Sequence, residues 1–260
     1  MPSRTTRSIT LSGPDAAAFA NAQFGSAVLA LGTGQWQWSG WLDPKGRVRA
    51  LLQVARPGDE RFVVIPRGGD AAMLAADLSR FVFRSKVKIA VSEPLHVSNG
   101  DSFDDMRVLE DGDVMVLGEG DGSLRIGDAS GDDAWCARHI EKGFAWLPDE
   151  AIDMLLPPAL SMERLGAVAF DKGCFPGQEI AARLHFLGGH KKHLRVVRSD
   201  VGLGDGESIR IDGRDVGIVL MCNVSQRASI SLVVLDDAVV EGDTLETGTT
   251  RLHVLSTFDA

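Results

Sequence analysis

One eight-residue run concentrates the groups that could do chemistry: Lys172, Gly173, Cys174, Phe175, Pro176, Gly177, Gln178 and Glu179. A thiol reacts as its thiolate, and a cation or a helix N-terminus beside it lowers its pKa. Pro176-Gly177 favours a tight turn directly after the cysteine, and Gln178 to Leu184 has helical composition. This spacing sets Cys174 just ahead of a helix start with Lys172 nearby, as in a reactive thiol. The competing reading is a buried apolar cysteine, the common fate of a free thiol. Cys136 adjoins Trp135 and Cys222 ends an apolar strand, so those two are expected to be buried and slow.

Other chemistry is thin. His185, His190 and His193 lie on a basic stretch without a carboxylate or cysteine at ligand spacing, and read as linker histidines before a metal site. No phosphate-binding glycine loop, H-E-x-x-H or G-x-S-x-G occurs. Net charge is -9, which argues against duplex nucleic acid as an obligatory partner. The imbalance is local. Residues 101 to 133 hold 11 acids against Arg107 and Arg125, whereas Ile180 to Ser199 contains no acid. Either these are a solvated acidic loop and a basic linker, or the basic stretch rims a site for an anionic ligand or partner. No apolar run approaches the ~18 residues of a membrane span. Three cysteines without a C-x-x-C suggest a reducing compartment, and a cytoplasmic location is expected.

The elements that must position these residues follow from patterning. Ser12-Gly13-Pro14-Asp15 reads as a helix start, and Ala16 to Leu31 as an amphipathic helix. Gln35 to Trp41 and Val48 to Val54 flank the turn Asp43-Pro44-Lys45-Gly46 as a hairpin, with Trp36 and Trp38 on one strand face as core residues. Arg61 to Ile65 is a strand, Asp70 to Phe81 a helix and Lys86 to Val91 a strand, which together make an α+β module. The segment from Pro94 to Asp133 is glycine- and aspartate-rich, with short strands such as Asp113 to Leu117. From Leu194 on, five or six short strands, two joined by Asp212-Gly213 as a type I′ turn, suggest a small barrel or sandwich.

The run KGCFPGQE, followed by Ala182-Arg183 and Lys191-Lys192, resembles the signature of the YgfZ family, which is similar to the glycine cleavage T-protein, a folate-dependent aminomethyltransferase. Leu42-Asp43-Pro44-Lys45-Gly46-Arg47 matches the family's D-x-K-G turn, and Trp135 to Phe144 (WCARHIEKGF) its tryptophan-to-I-E-x-G-F block. Phe175 stands where tyrosine is commoner. The resemblance spans about residues 9 to 258 and implies an α+β, multi-module fold around a central channel, ending in a β-barrel-like module. It implies a folate-binding module of residues 1–23 plus 92–190, an α+β module of 24–91 and the barrel at 191–260. The function implied is a tetrahydrofolate-binding accessory protein for iron–sulfur client enzymes, tRNA-modifying ones included. The alternative is a folate-dependent aminomethyl transferase. Carried over residue by residue, Cys174 and Lys172 become the functional thiol and its neighbour. Trp135 becomes the stacking platform and Glu141 the carboxylate accepting from the pterin ring; Arg138, Gln178, Glu179 and Arg183 become further cofactor-facing residues.

Overall fold

The computed structural model describes residues 4–224 and 229–259. In chain order the elements begin with β1 (Thr5–Thr6), β2 (Ile9–Ser12), α1 (Ala16–Gln23), β3 (Gln35–Leu42), β4 (Val48–Gly58), β5 (Arg61–Pro66), α2 (Ala71–Ser79) and β6 (Lys88–Val91). Next come β7 (Leu95–Gly100), β8 (Val108–Asp111), β9 (Val114–Gly118), β10 (Ser123–Gly127), α3 (Ala134–Lys142) and α4 (Gln178–Leu187). The chain ends in β11 (Lys192–Ser199), β12 (Ser208–Ile211), β13 (Arg214–Val224), β14 (Ser229–Asp236), β15 (Thr244–Thr247) and β16 (Thr250–Thr257).

A first sheet has the order β3-β4-β5-β2-β6, with all its pairs antiparallel. Side chains alternate across its strands, so each face serves a different core. Ile9, Leu11, Leu52, Val54 and Phe62 pack with Phe19 and Phe24 at α1 and Leu74 and Leu78 of α2. Trp36, Trp38, Leu51 and Ile65 face the other way, into the largest core of the molecule. The helix expected to reach Leu31 stops at Gln23. Phe24 is extended there and Gly25 continues as an edge: its N–H donates to the Gly40 carbonyl at 2.7 Å and its carbonyl accepts from Ala169 at 2.9 Å. That zipper ties the segment before Lys172 to the first sheet.

A second sheet, β1-β7-β10-β9-β8, lies with α3 against the same large core. The N-terminal residues are divided between sheets. Thr5 and Thr6 pair with β7, whereas Ile9 to Ser12 pair with β5 and β6 of the first sheet, and α1 packs in that sheet's helix-side core. Assigning residues 1–23 to one module with 92–190 thus differs from the pairing, because a four-residue strand carries too little pattern to show its partners.

The six strands β12-β13-β14-β11-β16-β15 form a third sheet that is nearly closed. The N–H of Arg210 on one edge strand reaches Oγ1 of Thr247 on the other at 3.2 Å. Asp212 and Gly213 have φ of 51° and 75°, the paired positive values of a type I′ turn. Val219, Val233, Leu235 and Leu252 fill the barrel's interior.

Candidate functional site

Two sequence motifs meet back to back. The turn at Asp43–Gly46 is closed by the Asp43 carboxylate, which accepts from the N–H groups of Lys45 and Arg47 at 2.8 Å each. Gly177, the residue before α4, has φ of 76° and sits so close to this turn that a Cβ there would lie 2.4 Å from the Asp43 carbonyl oxygen. Only glycine meets both demands, a left-handed φ and backbone contact. Phe175 and Ala181 are buried, anchoring the loop and the helix on either side of the turn.

Cys174 is exposed on this anchored loop, while Cys136 and Cys222 are buried. Burial pushes the Cys136 thiol up. Lys172 has another task than the one expected of it. Its ammonium donates to three carbonyls of the N-terminal segment, those of Asn21 (2.5 Å), Phe24 and Ser26 (3.0 Å), and lies 4.9 Å from the Phe175 ring centre. Burial brings its pKa down to about 8, and three acceptors at the end of α1 suit the charged form at neutral pH. Lys172 is a clamp that fastens the cysteine loop to α1.

The centre of the large core is polar where the sequence pattern suggested only apolar packing. Arg67, at 1% exposure, donates from Nη2 to His139 Nδ1 at 2.8 Å and from Nε to the Ala145 carbonyl at 3.2 Å. Because arginine only donates, Nδ1 is the acceptor and Nε2 carries the hydrogen, directed at Glu119 Oε1 at 2.7 Å. Arg138 meets the other carboxylate oxygen from Nη2 at 3.0 Å and Nε at 3.2 Å. Burial, with Arg67 adding to it, lowers His139 to about 4, so the imidazole is neutral. For Glu119 burial acts upward, but the bonds and charges of His139 and Arg138 outweigh it and leave the carboxyl at about 2. Arg67 falls to about 9 through burial and stays charged at neutral pH. Four aromatic rings wall this relay. The Arg67 guanidinium lies 4.5 Å from the Trp146 ring centre and 5.6 Å from those of Trp38 and Trp135, and Phe144 is 5.1 Å from Trp38.

Several polar atoms here are buried and unpaired: the indole N–H groups of Trp38 and Trp135, Nη1 of Arg67 and both amide atoms of Gln53. Gln53 pairs with Trp38 in register and shares its face. Buried polar groups without partners are costly, and their clustering marks a place where water or a ligand supplies the missing bonds. A cleft of about 470 Å³ opens between the first two sheets, lined by Thr10, Val63 and Ile65 on one side and Val114, Met115 and Ile126 on the other. Ile65, Met115 and Ile126 belong to the same core as Trp38 and Trp135.

The residues carried over from the family motifs therefore divide. Trp135 and Arg138 are central, but Trp135 is a packed wall, 1% exposed, rather than an open platform. Glu141 is exposed, since the buried stripe of α3 is Trp135, Cys136, His139 and Ile140 and Glu141 falls off it. Gln178, Glu179 and Arg183 lie on α4, directly after the Cys174 loop, with Glu179 and Arg183 exposed. The central carboxylate is Glu119, which sequence reasoning missed along with Arg67 and Gln53. The available signal was the apolar strand Val114–Gly118 running directly into an acid. Among the described residues no group of histidine, cysteine and acidic side chains is arranged to hold a metal ion.

No family model matches the chain. In fold the chain matches a solved aminomethyltransferase. The glycine cleavage system aminomethyltransferase T of Bartonella henselae superposes with a TM-score of 0.72 at 18% identity, over 96% of this chain and 83% of that one. Sequence relatives narrow this. The tRNA-modifying protein YgfZ of Cronobacter sakazakii is 25% identical, over 92% of this chain and 83% of its own length. The protein of the same name from Klebsiella pneumoniae is 27% identical over 71% of this chain and 67% of its own. The chain is a relative of the YgfZ proteins, with the fold of the glycine cleavage aminomethyltransferases.

Proposed function

We propose that the chain is a cytoplasmic, tetrahydrofolate-binding accessory protein that supports the assembly or repair of iron–sulfur enzymes, tRNA-modifying enzymes among them. The observation that carries this reading is the presentation of Cys174: of three cysteines it alone is exposed, on a loop fastened by Lys172 and by the Gly177–Asp43 contact. The relatives' designation as tRNA-modifying proteins supports the process served. No helix among the described residues is long and apolar enough to cross a membrane.

Folate fits the centre by the chemistry of its unpaired groups. A pterin is flat and offers alternating donors and acceptors, which suits two indole N–H groups, one guanidinium nitrogen and the amide of Gln53 among aromatic walls. Trp38, Gln53, Arg67 and Trp135 would hold it. Because all four are buried at 1% exposure or less, the ring would have to displace packed side chains to reach them. Arg138 and His139 fix Glu119 behind them. The inter-sheet cleft borders this core and offers the approach. Bound folate would supply a one-carbon carrier or a redox-active ring. The aminomethyl transferase alternative requires an acid free to act beside the ring. Among the described residues Glu119 is the one buried carboxylate, and three bonds from Arg138 and His139 occupy it.

Complementation tests the accessory reading. In a bacterial strain lacking its own YgfZ, the chain should restore the modified-nucleoside content of tRNA, and Cys174→Ser should not, with both proteins equally abundant. Full rescue by the serine variant would reduce Cys174 to a surface residue and overturn the reading.

A further inference from the structure

We propose that the exposed end of α4 is a docking surface for a protein partner that contributes an apolar contact ringed by carboxylates. Of the ten residues of α4 only Ala181 is buried. Phe186 and Leu187 at its end are 71% and 76% exposed, where a helix on a globular surface ordinarily turns such side chains inward. They belong to an ordered row. Phe170 stacks on His185 with ring centres 4.5 Å apart, and His185 meets Phe186 edge-on at 4.6 Å. His185 is itself fixed by a 2.7 Å contact of Nδ1 with Glu163. Rings held at the surface in this way lose little entropy on binding, which favours their use as anchors.

Charge identifies the partner. The run from Ile180 to Ser199 has no acid. Lys192 and His193 are already matched by Asp236 and Asp237, but among the described residues the exposed Arg183 and Lys191 form no ion pair. One precedes the apolar tip in sequence and the other follows it, leaving two unneutralised cations for carboxylates on the partner. RNA fits less well, because the chain carries -9 overall and the exposed Asp171 and Glu179 flank the cysteine loop. The inference deepens the accessory reading: it gives the chemistry of a client that would meet Cys174, one helix away.

The test places the photo-crosslinker p-benzoylphenylalanine at Phe186 of the full chain, in cells of the complemented strain. The expected product is an adduct whose cross-linked peptide is apolar with flanking Asp or Glu, about tenfold less abundant when Arg183→Glu and Lys191→Glu are added. An adduct to RNA, an adduct to a second copy of this chain, an adduct indifferent to the charge reversal, or none at all would overturn the proposal. Cys174→Ser run alongside separates the two readings. Adduct formation with full rescue by the serine variant overturns the thiol reading alone; failed rescue without an adduct overturns the docking surface alone.

Discussion

Around Glu119 the charged groups are buried and spoken for; around Cys174 they are exposed and largely uncommitted. The centre closes Arg67, His139, Glu119 and Arg138 into one bonded relay walled by indoles, and leaves unpaired the Trp38 and Trp135 indole N–H groups, Arg67 Nη1 and the Gln53 amide. The edge spends its interactions on the backbone, through Lys172 and the Gly177–Asp43 contact, and leaves its thiol, its aromatic tip and two cations open. Charged pairs in a core tend to specify an arrangement more than they stabilise it. An exposed thiol on a loop fastened to the backbone is accessible without losing its position. On the proposed reading the centre holds a ligand and the edge presents a thiol.

The largest expected difference is chemical. With the protein folded at neutral pH, Cys174 should alkylate at the rate of an open thiol. Cys136 and Cys222 should be slower by roughly a thousandfold, since sub-global opening of about 4 kcal/mol must come first. Mass spectrometry of timed iodoacetamide reactions reads this, and comparable rates at all three sites would erase the contrast.

Charge removal is the next test. Glu119→Ala leaves Arg67 and Arg138 without their anion in a buried site and should cost about 3–5 kcal/mol in urea unfolding. Glu141→Gln, at an exposed position on α3, should change stability by less than about 0.5 kcal/mol. Similar effects would mean that the Glu119 relay is not the electrostatic centre described.

Acid should find the centre first. His139 is near 4 in the folded protein against an ordinary 6.5. The folded state therefore binds fewer protons than the unfolded one between those values, and stability falls as pH drops from 6.5 towards 4. The full shift corresponds to on the order of 3 kcal/mol. Below that, Glu119, held near 2 against an ordinary 4.5, continues the loss as pH falls from 4.5 to 2. Unfolding free energies between pH 7 and 4 should slope accordingly, and a flat profile would contradict the neutral, buried imidazole.

The smallest effects separate two glycines. Gly177→Ala combines a left-handed φ with a collision against the Asp43 carbonyl and should cost about 2–3 kcal/mol. Gly213→Ala, in the Asp212-Gly213 turn, has a φ of 75° but open space around it and should cost about 1 kcal/mol. Equal costs would mean that the back-to-back turns are not in contact.

Much of the edge was readable in the sequence and much of the centre was not. The KGCFPGQE run, the Asp43–Gly46 turn, the hairpin around it and the Asp212-Gly213 turn are local, and local chemistry survives into the fold. The relay joins residues 67, 119 and 139 through two sheets and a helix, a long-range pairing that no periodicity encodes. The acidic run 101–133 also misleads. Most of its acids are exposed, as a solvated loop would have them, and the short strands expected there form, yet it also supplies Glu119, whose side chain is 1% exposed. Placing the pterin carboxylate at Glu141 followed the motif's letters, but helix periodicity puts His139 inward and Glu141 outward.

Titration of the purified chain with tetrahydrofolate, read by tryptophan fluorescence under anaerobic conditions, tests the division between centre and edge most directly. All five tryptophans are buried, and three of them wall the relay. The account predicts a saturable change for the wild type, the same affinity for Cys174→Ser, and an affinity several- to tenfold weaker for Gln53→Leu, which loses bonds worth about 0.5–1.5 kcal/mol each. A wild type without a saturable signal, or a Gln53→Leu variant that binds as tightly as Cys174→Ser, would contradict it.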